Sequence, residues 1–506
     1  MPRSARTATR APLDSLASGK LGAWSIAARV VAATTPMTVV AGVVPVGIKV
    51  TGSNFPLVFL AVALGYGLFC VGYLEAARRC EDEGKDASSG FYALIRRGLG
   101  RTAGVGAGWL TVIAYTALTL GLYGLIGDIM SPLLADLLGV TVPRLVIALA
   151  ATVLVGWLGL LKFKTPTRVL MILATCEVAM IGAATVAAWL HPAAGTQPMQ
   201  ALDPHQLTIG VPLIAAQVAL AVLGLIGTEL TVVHTDHARD GHRGVTRATA
   251  IVLVLLTGLY VLAPAGLSVT LGADGVVTAA QADPAGLFVH VVESNLGPQA
   301  ATIMRILFAT SLLAGSLSFH GTTSLYAMRL AKDNAAPRLL GKIGQKYGSP
   351  TIASITQTVL AVAAIAAVWA TGADPVLVLF YLGGTSGGVG ILILLALTAL
   401  SIVVILWRAR RATAAAPGEL DGSPSSPSVA RRIWTTVAAY AAVLVIGTLT
   451  ITVLIQFDTL LGVDPDSPLP TILRFSYLVA FLAGVGWDLR RRFASARKTR
   501  PAEVSR

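Results

Sequence analysis

Charge is what this chain has least of. Only 12% of its 506 residues are Asp, Glu, Lys or Arg, against 55% apolar residues, and the mean hydropathy is +0.75. A water-soluble domain carries roughly a quarter charged residues, so a soluble globular protein is excluded. Cysteine is almost missing: Cys70, Cys80 and Cys176 stand at unrelated spacings, which excludes both a disulfide framework and a cysteine metal site. No Gly-x-x-x-x-Gly-Lys-Ser/Thr loop occurs, so direct ATP coupling has no motif to rest on. Acidic residues are fewer than basic ones, 25 against 38, for a net charge of +13. That excess could point to a nucleic-acid partner, and its distribution decides the matter.

What the chain does have is a succession of apolar stretches about 20 residues long, the length that crosses a bilayer core. Twelve are read: 24–48, 55–77, 102–131, 142–162, 167–190, 208–233, 248–270, 299–328, 351–371, 375–406, 433–456 and 468–488. With the N-terminus inside, all but four of the 38 Lys and Arg residues fall on the inner side, the exceptions being Lys49, Arg144, Arg305 and Arg474. This is the positive-inside pattern, so the basic excess marks topology and no nucleic-acid partner is expected. Outer loops carry Asp136, Asp203, Asp274, Asp283, Glu293, Asp464 and Asp466, and Trp24, Trp189, Trp407, Trp434 and Trp487 sit near span ends, where an interfacial aromatic belt belongs. The expected fold class is an all-α polytopic membrane protein, multi-pass in the plasma (inner) membrane with both termini cytoplasmic and the lipid bilayer as its partner. Residues 1–23 read as a cytosolic tail and not a signal peptide, since 1–20 have no apolar core.

The Pro- and Ser-rich stretch 409–432 reads as a cytosolic linker. It divides a ten-helix core, 24–408, from two further helices over 433–488 and a basic tail, 489–506. "FYALIRRGLG" (91–100) has the pattern of an amphipathic helix on the inner face, and "PAGLFVHVVESNLG" (284–297) that of a surface helix in the longest outer loop.

Two spans look built to break. "TTPMTVVAGVVPVGIKVTG" (34–52) places Ala41, Gly42 and Pro45 near the middle of span 1, and "LGLIGTEL" (223–230) places Gly224, Gly227 and Thr228 ahead of Glu229 in span 6. Backbone freed at membrane depth is tolerated only where protein or a water-filled cavity takes it up. Paired interrupted spans at corresponding positions of two halves point to a transport site, whereas glycines in one span alone also serve close helix packing. Spans 1 and 6 correspond if 24–190 and 208–406 are repeats of opposite topology.

"LGLIGTELTVVHTDHARDGHRGVTRAT" (223–249) resembles the sixth span and following loop of amino acid–polyamine–organocation permeases. "SLSFHGTTSLYAMRLAKDNAAPRLLGKIGQKYGSP" (316–350) resembles their eighth span and the turn after it, with Tyr326, Lys332, Asp333, Pro337 and Gly348-Ser349-Pro350 in the corresponding places. The resemblance implies a 5+5 inverted repeat plus two C-terminal helices, discontinuous helices 1 and 6, and alternating access. Substrate would bind at the unwound middles, here Thr38, Ala41, Gly42 and Val43 with Leu225, Ile226, Gly227 and Thr228. Half-helix N-termini suit a carboxylate and half-helix carbonyls an ammonium group, so an amino acid or related small amine is the implied small-molecule substrate. The chain departs from the family pattern at three points. Ala41-Gly42-Val43 stands where relatives have a Gly-Ser-Gly-like triple, Leu223, Leu225 and Ile226 replace a large aromatic lid, and Leu325 replaces an Arg. Without the aromatic, cation–π capture weakens, which counts against a polyamine.

Ionisable groups inside spans are costly and by default functional. Glu75 lies beside Arg78 and Arg79 and is expected to pair with them. Glu177 lies mid-span where many relatives carry Lys, and is the candidate for loading and releasing a proton; a structural, hydrogen-bonded role is the alternative. Glu229 is expected to accept hydrogen bonds from backbone freed at the break, with gating or coupling as its functional role. His320 could titrate near neutral pH or simply pack. Thr310, Ser311, Ser316 and Ser318 lie where sodium-using relatives place ligands, but such hydroxyls commonly bond their own helix; protons are therefore expected over sodium, with no metal and no cofactor. "GGTSGG" (383–388) matches a Gly-x-Ser-x-Gly elbow and, with His320, would make a Ser386–His320 pair for an intramembrane serine protease. The elbow's strand–turn–helix setting is absent and the His precedes the Ser, so no catalytic residue and no enzyme activity are expected. A receptor would need a folded output domain, for which the tails are too short; a channel stays open as a formal alternative. The reading is a secondary active transporter, proton-coupled, importing an amino acid or related amine, with polyamine or organocation exchange as the alternative of the same fold.

Overall fold

The computed structural model describes residues 21–82, 90–161, 167–196, 200–203, 210–344, 348–415, 429–458 and 468–498. Residues 1–20 of the expected N-terminal tail, 416–428 of the linker and 499–506 of the C-terminal tail lie outside them. Among the described residues the chain is helical and contains no strand; an isolated bridge joins Leu21 to Ala238. Among the described residues nine helices are long and apolar enough to cross a membrane, and a bent pair, Ala23–Thr34 with Pro36–Val50, makes a tenth. Two shorter apolar helices, Arg144–Leu160 and Leu213–Leu225, occupy the places of the remaining expected spans. The all-α polytopic fold is as the composition required.

In chain order, span 1 is α1 (Ala23–Thr34) and α2 (Pro36–Val50), and span 2 is α3 (Phe55–Asp82). The short α4 (Gly90–Leu99) precedes α5 (Arg101–Leu138), α6 (Arg144–Leu160) and α7 (Thr167–Leu190), which are spans 3 to 5. Span 6 is α8 (Val211–Leu225) followed by a 3₁₀ helix, Thr228–His237. Span 7 is α9 (Gly241–Leu271), and α10 (Ala273–Ala282) and α11 (Leu287–Leu296) lie in the loop beyond it. Then come α12 (Pro298–Lys332), α13 (Thr351–Ala370), a π-helical stretch Val376–Gly383 running into α14 (Gly384–Ala415), α15 (Val429–Ile455) and α16 (Leu469–Lys498).

The core forms around α5, which packs against α12, α14 and α16. Lipid offers no hydrophobic drive between helices, so close approach of small residues carries the packing. A methyl group at Gly484 of α16 would lie 2.9 Å from the Cα of Gly106 in α5, and one at Gly121 only 3.3 Å from the Cα of Gly384. The amphipathic α4 forms as its pattern demands, burying Phe91, Tyr92, Leu94 and Ile95. The expected surface helix forms too, as α11, with Leu287, Phe288, Val291 and Val292 buried.

A polar clamp ties α4, α5 and α16 to the turn after α12. Arg96 pairs with Asp333 at 2.8 Å, and the Tyr92 hydroxyl donates to the same carboxylate at 2.6 Å. Burial and that carboxylate push the Tyr92 phenol above its ordinary range, so it stays a donor. Arg101 and Arg492 both reach Asp488 at 2.9 Å, Thr102 donates to it at 3.0 Å, and Trp487 donates to the Asn334 carbonyl. Glu75, 4% exposed, is held as expected by Arg78 and Arg79, both at 2.9 Å.

Candidate functional site

Both expected breaks exist, and one lies elsewhere than predicted. Span 1 bends by 43° between Thr34 and Pro36, earlier in the chain than the expected Ala41–Pro45. Pro36 disfavours the right-handed helical region for Thr35, which ends the half-helix there, and Thr35 takes a left-handed conformation, φ 47° and ψ 67°. Such a conformation is strained for a β-branched residue. Ala41, Gly42 and Val43 lie instead in a π-helical turn, Val39–Val43, closed by the Val44 N–H on the Val39 carbonyl. Pro45 explains the widening: it lacks the N–H that an α-helix would aim at Ala41, and the π turn absorbs the defect. Span 6 breaks where expected. Ile226 is extended and Gly227 sits at φ 101°, which glycine alone adopts readily.

The two breaks are satisfied in the same way. At each, a threonine hydroxyl takes one carbonyl left over by the preceding half-helix: Thr34 donates to Val31 O and Thr228 to Leu225 O, both at 2.9 Å. At each, a buried glutamate takes a freed N–H: Met37 N–H donates to Glu177 Oε2 at 3.1 Å, and Gly227 N–H to Glu229 Oε2 at 2.9 Å. The breaks also touch, since a methyl at Gly227 would lie 3.1 Å from Thr34 Cγ2.

Ser311 of α12 completes the first cluster. Its hydroxyl donates to Glu177 Oε2 at 3.0 Å and accepts from the Thr38 N–H at 3.3 Å and the Thr38 hydroxyl at 3.1 Å. A hydroxyl has one donor and two acceptor positions, and here all are used. In the second cluster the Tyr66 hydroxyl donates to Glu229 Oε2 at 3.0 Å and Tyr115 to Oε1 at 3.4 Å. Glu229 thus accepts from freed backbone and from two tyrosines that no sequence pattern connects to it.

Beside the breaks lies a cavity of about 50 Å³, counted over positions a water centre can take, lined from span 1 by Thr34, Thr35, Thr38, Val39 and Val43. Span 6 adds Leu223 and Ile226, and spans 3, 8 and 10 add Leu118, Gly121, Leu122, Phe319, Phe380 and Gly384. One water needs roughly 10–15 Å³ on this measure, so the space takes a few waters or one small solute. Of the expected binding residues Thr38, Val43 and Ile226 line it. Leu225, Gly227 and Thr228 form the break behind it, and Ala41 and Gly42 are buried in packing, Gly42 against Leu125, Phe308 and Phe380. The aromatic rings missing from span 6 are supplied by Phe319 and Phe380, residues that no spacing along the chain links to the breaks.

His320 stands apart from these clusters. Its Nε2 lies 2.8 Å from the Ser354 hydroxyl, while Ser386 bonds the Tyr477 hydroxyl at 2.5 Å. The Ser386–His320 pair of the protease alternative is not assembled. Thr310 and Ser316 turn to carbonyls of their own helix, Leu307 O and Leu312 O. The described residues hold no group of three or more metal-ligating side chains.

Broken helices around a buried cavity in a bundle of membrane spans define a class of protein, the polytopic solute transporters. The family profile described as amino acid permease matches residues 21–481. The chain belongs to that family and is a multi-pass membrane transporter of amino acids or related amines. No curated protein gives a match.

Proposed function

We propose that the protein is a proton-coupled secondary transporter of the plasma membrane, importing an amino acid or related small amine by alternating access, with both termini cytoplasmic. The observation that carries this reading is the cavity at the two touching breaks, with Glu177 fixed behind it. A solute in the cavity contacts Thr38, and Thr38 is one hydroxyl away from Glu177 through Ser311. A proton arriving on the carboxylate would weaken its hold on Met37 and Ser311 and so loosen the joint of span 1. Occupancy of the cavity and protonation of Glu177 thus act on the same joint, as symport requires. Glu229 is assigned to gating, since Tyr66 and Tyr115 tie it to spans 2 and 3. The expected two halves, 24–190 and 208–406, supply one break each. His320 takes a packing role beside Ser354, and protons are favoured over sodium because the hydroxyls of Thr310, Ser311 and Ser316 are already bonded.

Uptake into proteoliposomes under an imposed pH gradient tests this. Accumulation should require an inside-alkaline gradient and be lost in Glu177→Gln. Accumulation that ignores the proton gradient and follows sodium would refute the coupling.

A further inference from the structure

A half-helix N-terminus in a broken span is a ready binding place for a carboxylate, because its N–H groups are unpaired and its dipole is positive. At the first break that place is taken, and at the second a carboxylate already occupies it. At the start of α2 the first residue is Pro36, which has no N–H. The next N–H, of Met37, is held by Glu177, and that of Thr38 by Ser311 and the Thr35 carbonyl. At the second break the Gly227 N–H is held by Glu229.

The cavity surface has the opposite character. The hydroxyl protons of Thr34 and Thr38 are committed to Val31 O and Ser311 Oγ, so what these side chains offer the cavity is lone pairs. The half-helices α1 and α8 both end at the cavity with their C-termini, the negative ends of their dipoles. Two carboxylates stand behind the breaks, and no Lys, Arg or His lines the cavity. Phe319 and Phe380 add ring faces, which attract cations. Acceptors, negative dipole ends and aromatic faces with no opposing cation make a site for a positively charged donor.

Resting on the transporter reading above, we propose that the solute carried is a small amine without a carboxylate: an alkylammonium ion with a short apolar body, and not an α-amino acid. The ammonium group sits against Thr34 and Thr38, and the apolar body against Phe319, Phe380 and the aliphatic wall.

Three ligands that share one branched body separate the possibilities on purified full-length protein in nanodiscs: isobutylamine, valine and isovalerate. Thermal midpoints give binding, since a ligand of the folded state raises them, and counterflow in proteoliposomes gives transport. Isobutylamine should bind at least tenfold more tightly than valine and be transported, and isovalerate should do neither. Thr38→Val, which keeps the shape of the side chain and removes the hydroxyl oxygen that faces the ammonium, should weaken isobutylamine at least tenfold while remaining folded. Valine binding as tightly as the amine, with uptake, overturns this inference and leaves the transporter reading standing. Sodium chloride raising the midpoint and displacing the amine overturns it in favour of an inorganic cation at the same acceptors. If none of the three is bound or carried, this inference falls, while the transporter reading is still decided by uptake under the imposed pH gradient.

Discussion

Glu177 in α7 accepts a hydrogen bond from the backbone N–H of Met37, 3.1 Å away and 140 positions distant in the chain. The carboxylate substitutes for the helical carbonyl that the bend at Thr35 takes away. A span that breaks at membrane depth must find such a partner within the protein, and replacing it should reveal what the break does.

Removing the charge alone and removing the whole group should differ. Glu177→Gln keeps an acceptor for Met37 and Ser311, so the protein should reach the membrane at wild-type levels, lose its response to a pH gradient and retain solute exchange. Glu177→Ala leaves the buried Met37 N–H without this partner, which costs about 1–3 kcal/mol, and should lower the thermal midpoint as well. Exchange and gradient-driven uptake measured side by side check this; a Gln variant that still follows the gradient as wild type removes Glu177 from coupling.

Gly227 and Gly42 should both be intolerant of leucine, for different reasons. At Gly227 the backbone is left-handed, and even alanine should cost about 1–2 kcal/mol. At Gly42 the backbone is ordinary, but a methyl would lie 3.1 Å from Leu125 Cδ2 and 3.3 Å from the Phe380 ring. Alanine should therefore be nearly tolerated at Gly42 and damaging at Gly227, while leucine at either should abolish uptake. Uptake normalised to the amount in the membrane is the measurement, and equal effects of alanine at the two sites would contradict the conformational argument.

Ser386 and Tyr477 join span 10 to span 12 by a buried hydrogen bond of 2.5 Å. Ser386→Ala and Tyr477→Phe should each cost about 1 kcal/mol, and the double variant no more than the worse single one, because partners in one bond are not additive. Thermal midpoints read this directly. The same Ser386→Ala protein should match wild type in leaving a membrane peptide uncut.

Asp488 is 1% exposed yet serves Arg101, Arg492 and Thr102. Asp488→Asn should destabilise the attachment of α16 to α5 by about 1–3 kcal/mol, less than a fully buried pair because both arginines reach solvent. Faster protease cleavage near the C-terminal helix would report the loosening, and an unchanged cleavage rate would show that the glycine contact at Gly106 and Gly484 suffices alone.

The spans were legible because lipid imposes one length and one composition on every crossing segment. The break in span 6 was legible because only Gly227 suits its backbone. That in span 1 was misplaced because Gly42 and Pro45, the strongest helix-breaking signals, are absorbed within the membrane: Gly42 by packing, Pro45 by the π turn ahead of it. The signal that mattered was Pro36 acting on Thr35. Glu177 and Glu229 stood out as charges inside spans, but their partners Ser311, Tyr66 and Tyr115 come from other helices at separations of more than a hundred positions. No local periodicity reports such meetings. Phe319 and Phe380 were missed for the same reason, and with them the aromatic character of the cavity.

The second half of span 6 is wound as ten residues of 3₁₀ helix, Thr228–His237. At about 2.0 Å per residue instead of 1.5 Å, that winding is roughly 5 Å longer than the same residues as an α-helix. Its far end is knotted to the other broken span, for the Arg239 N–H donates to Leu21 O at 2.8 Å. Rewinding this one segment would reel in the start of span 1 by a comparable distance, so a change of helical pitch beside Glu229 would be felt at the other broken span.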